Sequence, residues 1–140
     1  MSQAMPFSEV AAMVEAYVAD ELDGAKIILV TNEVEAGPTL DAESLIEPSG
    51  DWYARADAVT GEPYRTEDDS ISIQCESNQF NYTGSDLAET IRGVAVVTVV
   101  AGPPEVLTLK WYEALEQPVS MGGVLDSVIV APKLTIPVIS

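Results

Sequence analysis

The sequence predicts a mainly β protein, an antiparallel β-sandwich or jelly-roll-like domain with one α-helix at its N-terminus. Three observations carry that prediction. Val94 to Ala101 is an eight-residue apolar run rich in β-branched side chains, as expected of a strand covered on both faces. Further on, Val128, Val130, Leu134, Ile136 and Val138 all occupy even positions, which is the two-residue period of a strand with one buried face. Only residues 7–22, FSEVAAMVEAYVADEL, repeat apolar side chains at helical spacing instead.

In that helix Val10, Ala11, Val14, Tyr17, Val18 and Leu22 share a face. Ser8 suits the N-cap and Glu9 the first turn, while Asp23-Gly24 supplies a stop. Two readings stay open: a helix laid on the domain's own core, or an arm that docks on a neighbouring subunit. The second divides the chain into a helical arm, 1–24, and a β-sandwich domain, 25–140. The period then changes, and Lys26 to Thr31 (KIILVT) reads as a strand. Residues 36–69 are loop-rich, broken at Gly37-Pro38, Pro48-Ser49-Gly50 and Gly61-Glu62-Pro63. Within them Trp52 to Ala56 fits a short strand whose aromatics anchor the loops. Strands are expected at 70–76 and 79–83, with a turn at Gly84-Ser85-Asp86.

After the apolar run, Ala101-Gly102-Pro103-Pro104-Glu105 makes a turn too rich in proline for a two-residue hairpin. Residues 106–116 fit two templates. Leu107, Leu109, Trp111 and Leu115 suit a strand face, whereas Leu107, Trp111, Ala114 and Leu115 suit a helix. Gly122-Gly123 gives a flexible turn before the C-terminal strand. That strand is expected to bend or break at Pro132, at a sheet edge.

The length fits one domain able to bury a core of its own. Acids outnumber bases 23 to six, a net charge of −17. This excludes nucleic acid as a partner, because binding it needs basic surface to neutralise phosphates. Attraction to an anionic membrane fails for the same reason. No apolar stretch approaches the ~18 residues of a membrane helix. The segment MSQAMPFSEV has neither a basic nor a long apolar region, so no secretory signal is expected and synthesis is assigned to the cytoplasm. The acids are dispersed over predicted loops and helix ends. Solvation is the simplest role for them, with a basic partner or mimicry of DNA charge as alternatives.

The chain has no histidine and a single cysteine, Cys75, expected in the core beside Ile71 and Ile73. A phosphate loop, a nucleophile elbow and Cys/His metal spacing are all absent from the sequence. Glu67-Asp68-Asp69 lacks calcium-loop spacing and reads as a solvated turn. No enzyme activity, catalytic residue, cofactor or metal is therefore expected. Trp52, Tyr53, Trp111 and Tyr112 read as core or interface anchors, with a sugar-binding face as the alternative. Arg55, Arg65 and Arg92 are expected to pair with local acids.

The order of segments resembles the small virion proteins of tailed bacteriophages. It does so first in Leu40-Asp41-Ala42-Glu43-Ser44-Leu45-Ile46 followed by Asp51-Trp52-Tyr53-Ala54. A later block repeats the likeness with Ile91-Arg92-Gly93, Ala95 to Val100, Leu107 to Tyr112 and Pro118-Val119-Ser120-Met121. The finish, Asp126 to Ile136, resembles their closing strands, while the helix at 7–22 is an addition to the pattern. The resemblance tips 106–116 towards strand. It implies a capsid cement or decoration protein that bridges major capsid subunits, forms a homo-oligomer (a trimer above all) and sits on the capsid surface of the virion. Interface candidates are Phe7, Val10, Val14 and Tyr17 on the helix, Trp52 and Tyr53, and Leu134 and Ile136 on the last strand. A tail- or head-fibre module binding a receptor or glycan through Trp52 and Tyr53 is the first alternative. An acidic inhibitor that mimics DNA is the second.

Overall fold

Helical spacing gives way to strand alternation at one residue. In a computed structural model, which describes residues 7–35, 37, 39–66, 70–83, 88–123 and 125–137, helix α1 spans Phe7–Glu21. Gly24, at φ 70°, takes the left-handed conformation that closes a helix without a Cβ penalty. The chain then enters β1, Lys26–Val30, whose last four residues are all buried.

Among the described residues nine strands follow the helix in chain order. After β1 come β2 (Ala56–Asp57), β3 (Tyr64–Arg65), β4 (Ser70–Gln74) and β5 (Asn78–Asn81), then β6 (Glu89–Val100), β7 (Val106–Met121), β8 (Ser127–Val130) and β9 (Lys133–Pro137). Every pairing is antiparallel. They build a four-stranded sheet in the order β2-β1-β6-β7, a three-stranded sheet β3-β4-β9 and a ribbon β5-β8. The result is a mainly β, sandwich-like fold with one helix near the N-terminus.

Alternation places the core on both faces of the four-stranded sheet. Ile27, Leu29, Val94, Val96 and Trp111 turn one way, towards Phe80, Tyr82, Val128 and Val130 of the ribbon and its flank. Ile28, Val30, Ala95 and Val97 turn the other way, where Leu45, Leu107, Leu109 and Tyr112 cover them. That double burial is what the apolar run encodes. Ile91 joins Val94 and Val96 although its parity differs, because the β6–β7 register shifts between Ile91 and Gly93. A bulge reverses the phase of the residues beyond it. Gly93 sits at that shift for a steric reason: a Cβ there would come within 2.5 Å of Cε2 and Cζ of Tyr112.

The helix lies on the three-stranded sheet. Val14 is buried with Ile71 and Ile73, and Val10, Ala11, Val18, Leu134 and Ile136 close around them. On the other face of β4, Ser72 is buried and its hydroxyl meets that of Thr135 at 2.9 Å. At the far end of the helix Glu21 receives a hydrogen bond from Lys110 of β7, 3.1 Å away. The first of the two open readings, a helix on the domain's own core, is the observed one.

One expectation needs correction. Trp52 to Ala56 is not a strand. Trp52 lies within a turn closed by the Tyr53 N–H on the Gly50 carbonyl at 3.1 Å, and pairing begins only at Ala56. The C-terminal segment breaks at Pro132, as expected, into two strands, since β8 pairs β5 while β9 pairs β4. Pro132 joins two strands that each border their sheet, as expected, although it is itself fully buried, and its carbonyl accepts the Cys75 N–H at 2.9 Å. Residues 106–116 are strand, within sixteen-residue β7. The turn at 84–86, the acids 67–69, Val138 and the Phe7 side chain lie outside the described residues.

Candidate functional site

β6 and β7 form one long hairpin. Its base pairs Glu89 with Met121, and its tip pairs Val100 with Val106. Twelve residues of β6 separate the two, which at about 3.3 Å per residue is roughly 36–40 Å. The base lies in the core, whereas Val100 and Val106 at the tip are 61% and 52% exposed.

A polar chain braces this tip against β1. β2 covers only Lys26 and Ile27 along the outer edge of β1, so the next donors need other partners. The N–H of fully buried Leu29 finds the Tyr53 hydroxyl at 3.3 Å, and the Thr31 N–H finds the Ile46 carbonyl at 2.8 Å. Tyr53 in turn donates to Oε1 of Glu47 at 2.6 Å. Arg55 grips the same carboxylate with two parallel bonds, Nε to Oε1 and Nη2 to Oε2, each 2.9 Å. Its remaining arm, Nη1, reaches Glu105 at the hairpin tip at 2.9 Å. Planar two-point geometry of this kind is specific to arginine.

The electrostatics agree with the geometry. Burial works against the Glu47 carboxylate, but hydrogen bonds from Arg55 and Tyr53 and the Arg55 charge outweigh it and hold the carboxyl below its usual range. Burial and the adjacent Glu47 carboxylate push the Tyr53 hydroxyl well above the ordinary phenol value. Arg55 is raised as well, chiefly by its bonds to Glu47. Each group is locked in one protonation state at neutral pH, as a strut requires and a proton-transfer catalyst does not.

Two open clefts flank the hairpin. One of about 340 Å³ lies between the 3-10 turn Ala42–Ser44 and the tip, lined by Ala42, Glu43, Pro104, Glu105, Val106 and Leu107. Asp41 fixes that turn by accepting the Ser44 N–H at 3.2 Å. The other, of about 500 Å³, adjoins the β6–β7 register shift beside Arg92 and Tyr112. There Arg92 faces Glu33 at 3.4 Å.

A second apolar surface lies near the hairpin base. Gly122 and Gly123 donate their N–H groups to one Asp126 oxygen at 2.9 and 2.7 Å, which depresses the Asp126 carboxyl. This tight turn displays Leu125, 96% exposed, and Ile129 on β8 follows at 64%. Exposed apolar side chains therefore occur at the hairpin tip and in the segment that follows its base.

The residues singled out from the sequence fall elsewhere. Val10, Val14, Leu134 and Ile136 come together, but within the chain, at the helix–sheet contact. Tyr17 is half-buried against the main core. Trp52 is buried, at 5.8 Å from the Tyr53 ring and 6.1 Å from Tyr82, and Tyr53 stacks on Phe80 at 6.0 Å. Trp111 is buried too. Of the four aromatics considered for a sugar-binding face, Trp52 and Trp111 are buried, while Tyr53 and Tyr112 are half-buried. Arg55 and Arg92 have their acids, and Arg65 is likewise engaged. Val100, Val106, Leu125 and Ile129 were not singled out. A signal existed for the last two, which occupy odd positions, out of phase with the buried even ones.

Cys75 is buried, and burial together with Glu113 pushes its thiol up to about 11, which makes a poor nucleophile at neutral pH. Among the described residues no group of three or more Cys, Asp or Glu is placed to hold a metal ion. No described helix is long and apolar enough to cross a membrane. No family model, curated protein or solved structure matches the chain.

Proposed function

We propose that this chain is a capsid decoration or cement protein of a tailed bacteriophage, which stabilises the shell by bridging major capsid subunits. The observation that carries the reading is the braced hairpin with Val100 and Val106 exposed at its tip, together with a second exposed apolar pair, Leu125 and Ile129, in the segment beyond its base. Two separate apolar contact points can engage two neighbours at once. The resemblance of residues 26–136 to small phage virion proteins supplies the setting.

The charge pattern supports the same role. Among the described residues, ion pairs within the chain join Lys26 to Asp57, Arg55 to Glu47 and Glu105, Arg92 to Glu33, and Lys110 to Glu21, and Arg65 is engaged as well. The excess acids are left on the surface, where they keep the free protein soluble and repel stray association. Exposed apolar groups then bind only where a partner fits them.

Binding to empty shells assembled from the major capsid protein of the source phage tests the proposal. The wild-type chain should co-sediment with the shells, and Val106→Glu, at the tip, should reduce the bound fraction at least tenfold. A wild-type chain that stays in the supernatant at saturating shell concentration would overturn the reading.

A further inference from the structure

We propose that the outward face of the β5–β8 ribbon docks a second copy of this chain, and that added salt strengthens the docking. Phe80, Val128 and Val130 turn inward from this ribbon into the core, which fixes its opposite face in place. That face presents Gln79 and Asn81 from β5 with Leu125, Ser127, Ile129 and Ala131 from β8 and its flanks, all exposed. The register sets Gln79 beside Ile129 and Asn81 beside Ser127.

None of these six side chains is charged, in a chain of net charge −17. Charge selects the occupant. A basic partner finds no ion-pair acceptor here and is drawn to the acids elsewhere, such as Glu43 and Glu105 beside the hairpin tip. Two copies of this chain repel wherever their acids meet, so they can approach closely only across a neutral face. The chemistry is also self-complementary. Asn, Gln and Ser side chains both donate and accept hydrogen bonds, so the same patch can pair with itself across a two-fold axis. The Gln79 Nε2 bond to Asn81 Oδ1, at 3.0 Å, already orients the two amides. Leu125 and Ile129 supply uncovered aliphatic area beside them.

The face is narrow. The seven residues 125–131, at ~3.4 Å per residue, beside the shorter β5 ~4.8 Å away, span at most roughly 24 by 10 Å, less than the ~800 Å² per partner of a standard stable interface. The contact is therefore reversible, and the long-range repulsion between two acidic bodies opposes it. Raising the salt shortens the reach of that repulsion from ~10 Å at 0.1 M towards ~3 Å at 1 M. Salt then promotes self-association, the opposite of its effect on an acidic protein binding a basic one. An isologous contact of this kind yields pairs, whereas the trimer implied by the resemblance needs a heterologous one. The inference rests on this charge pattern and not on the shell reading.

Sedimentation velocity of the full chain in about 20 mM and about 500 mM NaCl, spanning weak to strong screening, tests it. The expected result is a monomer–dimer equilibrium shifted towards dimer at high salt. Ile129→Glu and Leu125→Glu should each weaken it at least tenfold with unchanged circular dichroism. Met13→Glu, at a 61% exposed helix position, should leave it as it was. Leu125 is almost wholly exposed, so its variant tests the contact even where Ile129→Glu disturbs β8. A monomer at both salts, a trimer, an association weakened by salt, or a dimer indifferent to both substitutions would each overturn the proposal.

Discussion

Tyr53→Phe isolates the hydroxyl at the centre of the brace while keeping the ring that stacks on Phe80. Two bonds are lost: the Leu29 N–H to Tyr53 at 3.3 Å and the Tyr53 O–H to Glu47 at 2.6 Å. The Leu29 N–H is fully buried on the stretch of β1 that β2 does not cover, so it is left without its acceptor, at about 1–3 kcal/mol. The bond to a carboxylate is stronger than a neutral one, but Arg55 still holds Glu47 at two points, so about 1 kcal/mol is appropriate. The sum is ~2–4 kcal/mol, or a fall in Tm of roughly 8–15 °C for a domain of this size. Urea unfolding followed by tryptophan fluorescence measures it, since Trp52 and Trp111 are both buried. The midpoint should move with the m-value unchanged. A shift worth less than ~0.5 kcal/mol, within the range of ordinary surface substitutions, would refute the claim that this hydroxyl replaces a missing strand.

The remaining predictions concern single groups. The Glu47 carboxyl is held below its unfolded value, so its contribution is complete above the unfolded pKa of about 4.3 and is lost as pH falls through the lower folded value. The stability gap between wild type and Glu47→Gln should thus be flat from neutral pH down to about 5 and narrow below about 4, which denaturant titrations at stepped pH would show. Cys75 titrates in the opposite sense. Its thiol is raised to about 11 in the folded chain, so the stability it contributes is intact below the unfolded pKa of about 8.5 and falls as pH rises from there towards 11. In a disulfide-exchange assay at pH 8 the native thiol should react at least a hundredfold more slowly than the denatured one. Gly93→Ala should cost about 1–3 kcal/mol through collision with the Tyr112 ring, and Tyr112→Ala should relieve part of that loss in a double-mutant cycle. Val14→Ala should cost about 2 kcal/mol, and removal of residues 1–24 should cost more by baring Ile71 and Ile73; a truncated chain as stable as the whole would contradict the helix–sheet packing.

What the sequence conveyed, and what it withheld, divides by range. The helix, β1 and the apolar run of β6 were legible because their signals are periodic and local. Residues 106–116 satisfied strand and helix templates together, and the choice was made by pairing with β6 over a register that shifts twice. The brace was illegible for a different reason. Arg55 meets Glu47 eight positions away and Glu105 fifty positions away, and a chain with 23 acids offers any arginine many equivalent partners. Interface candidates were chosen among periodic apolar residues, which is the pattern of the core itself, and Val14 and Trp52 accordingly went inside. Leu125 and Ile129 stand on the off-phase positions that a search for periodicity discards. Pro132 was read as an edge marker and a break, and it is the joint where the chain passes from the ribbon to the outer strand of the three-stranded sheet.

The central claim is that the chain is built into a phage shell in many copies. Quantitative mass spectrometry of purified particles of the source phage, counting this chain against the major capsid protein, tests it most directly. The account predicts a ratio near stoichiometric with the coat subunits. A handful of copies per particle, or none, would contradict it.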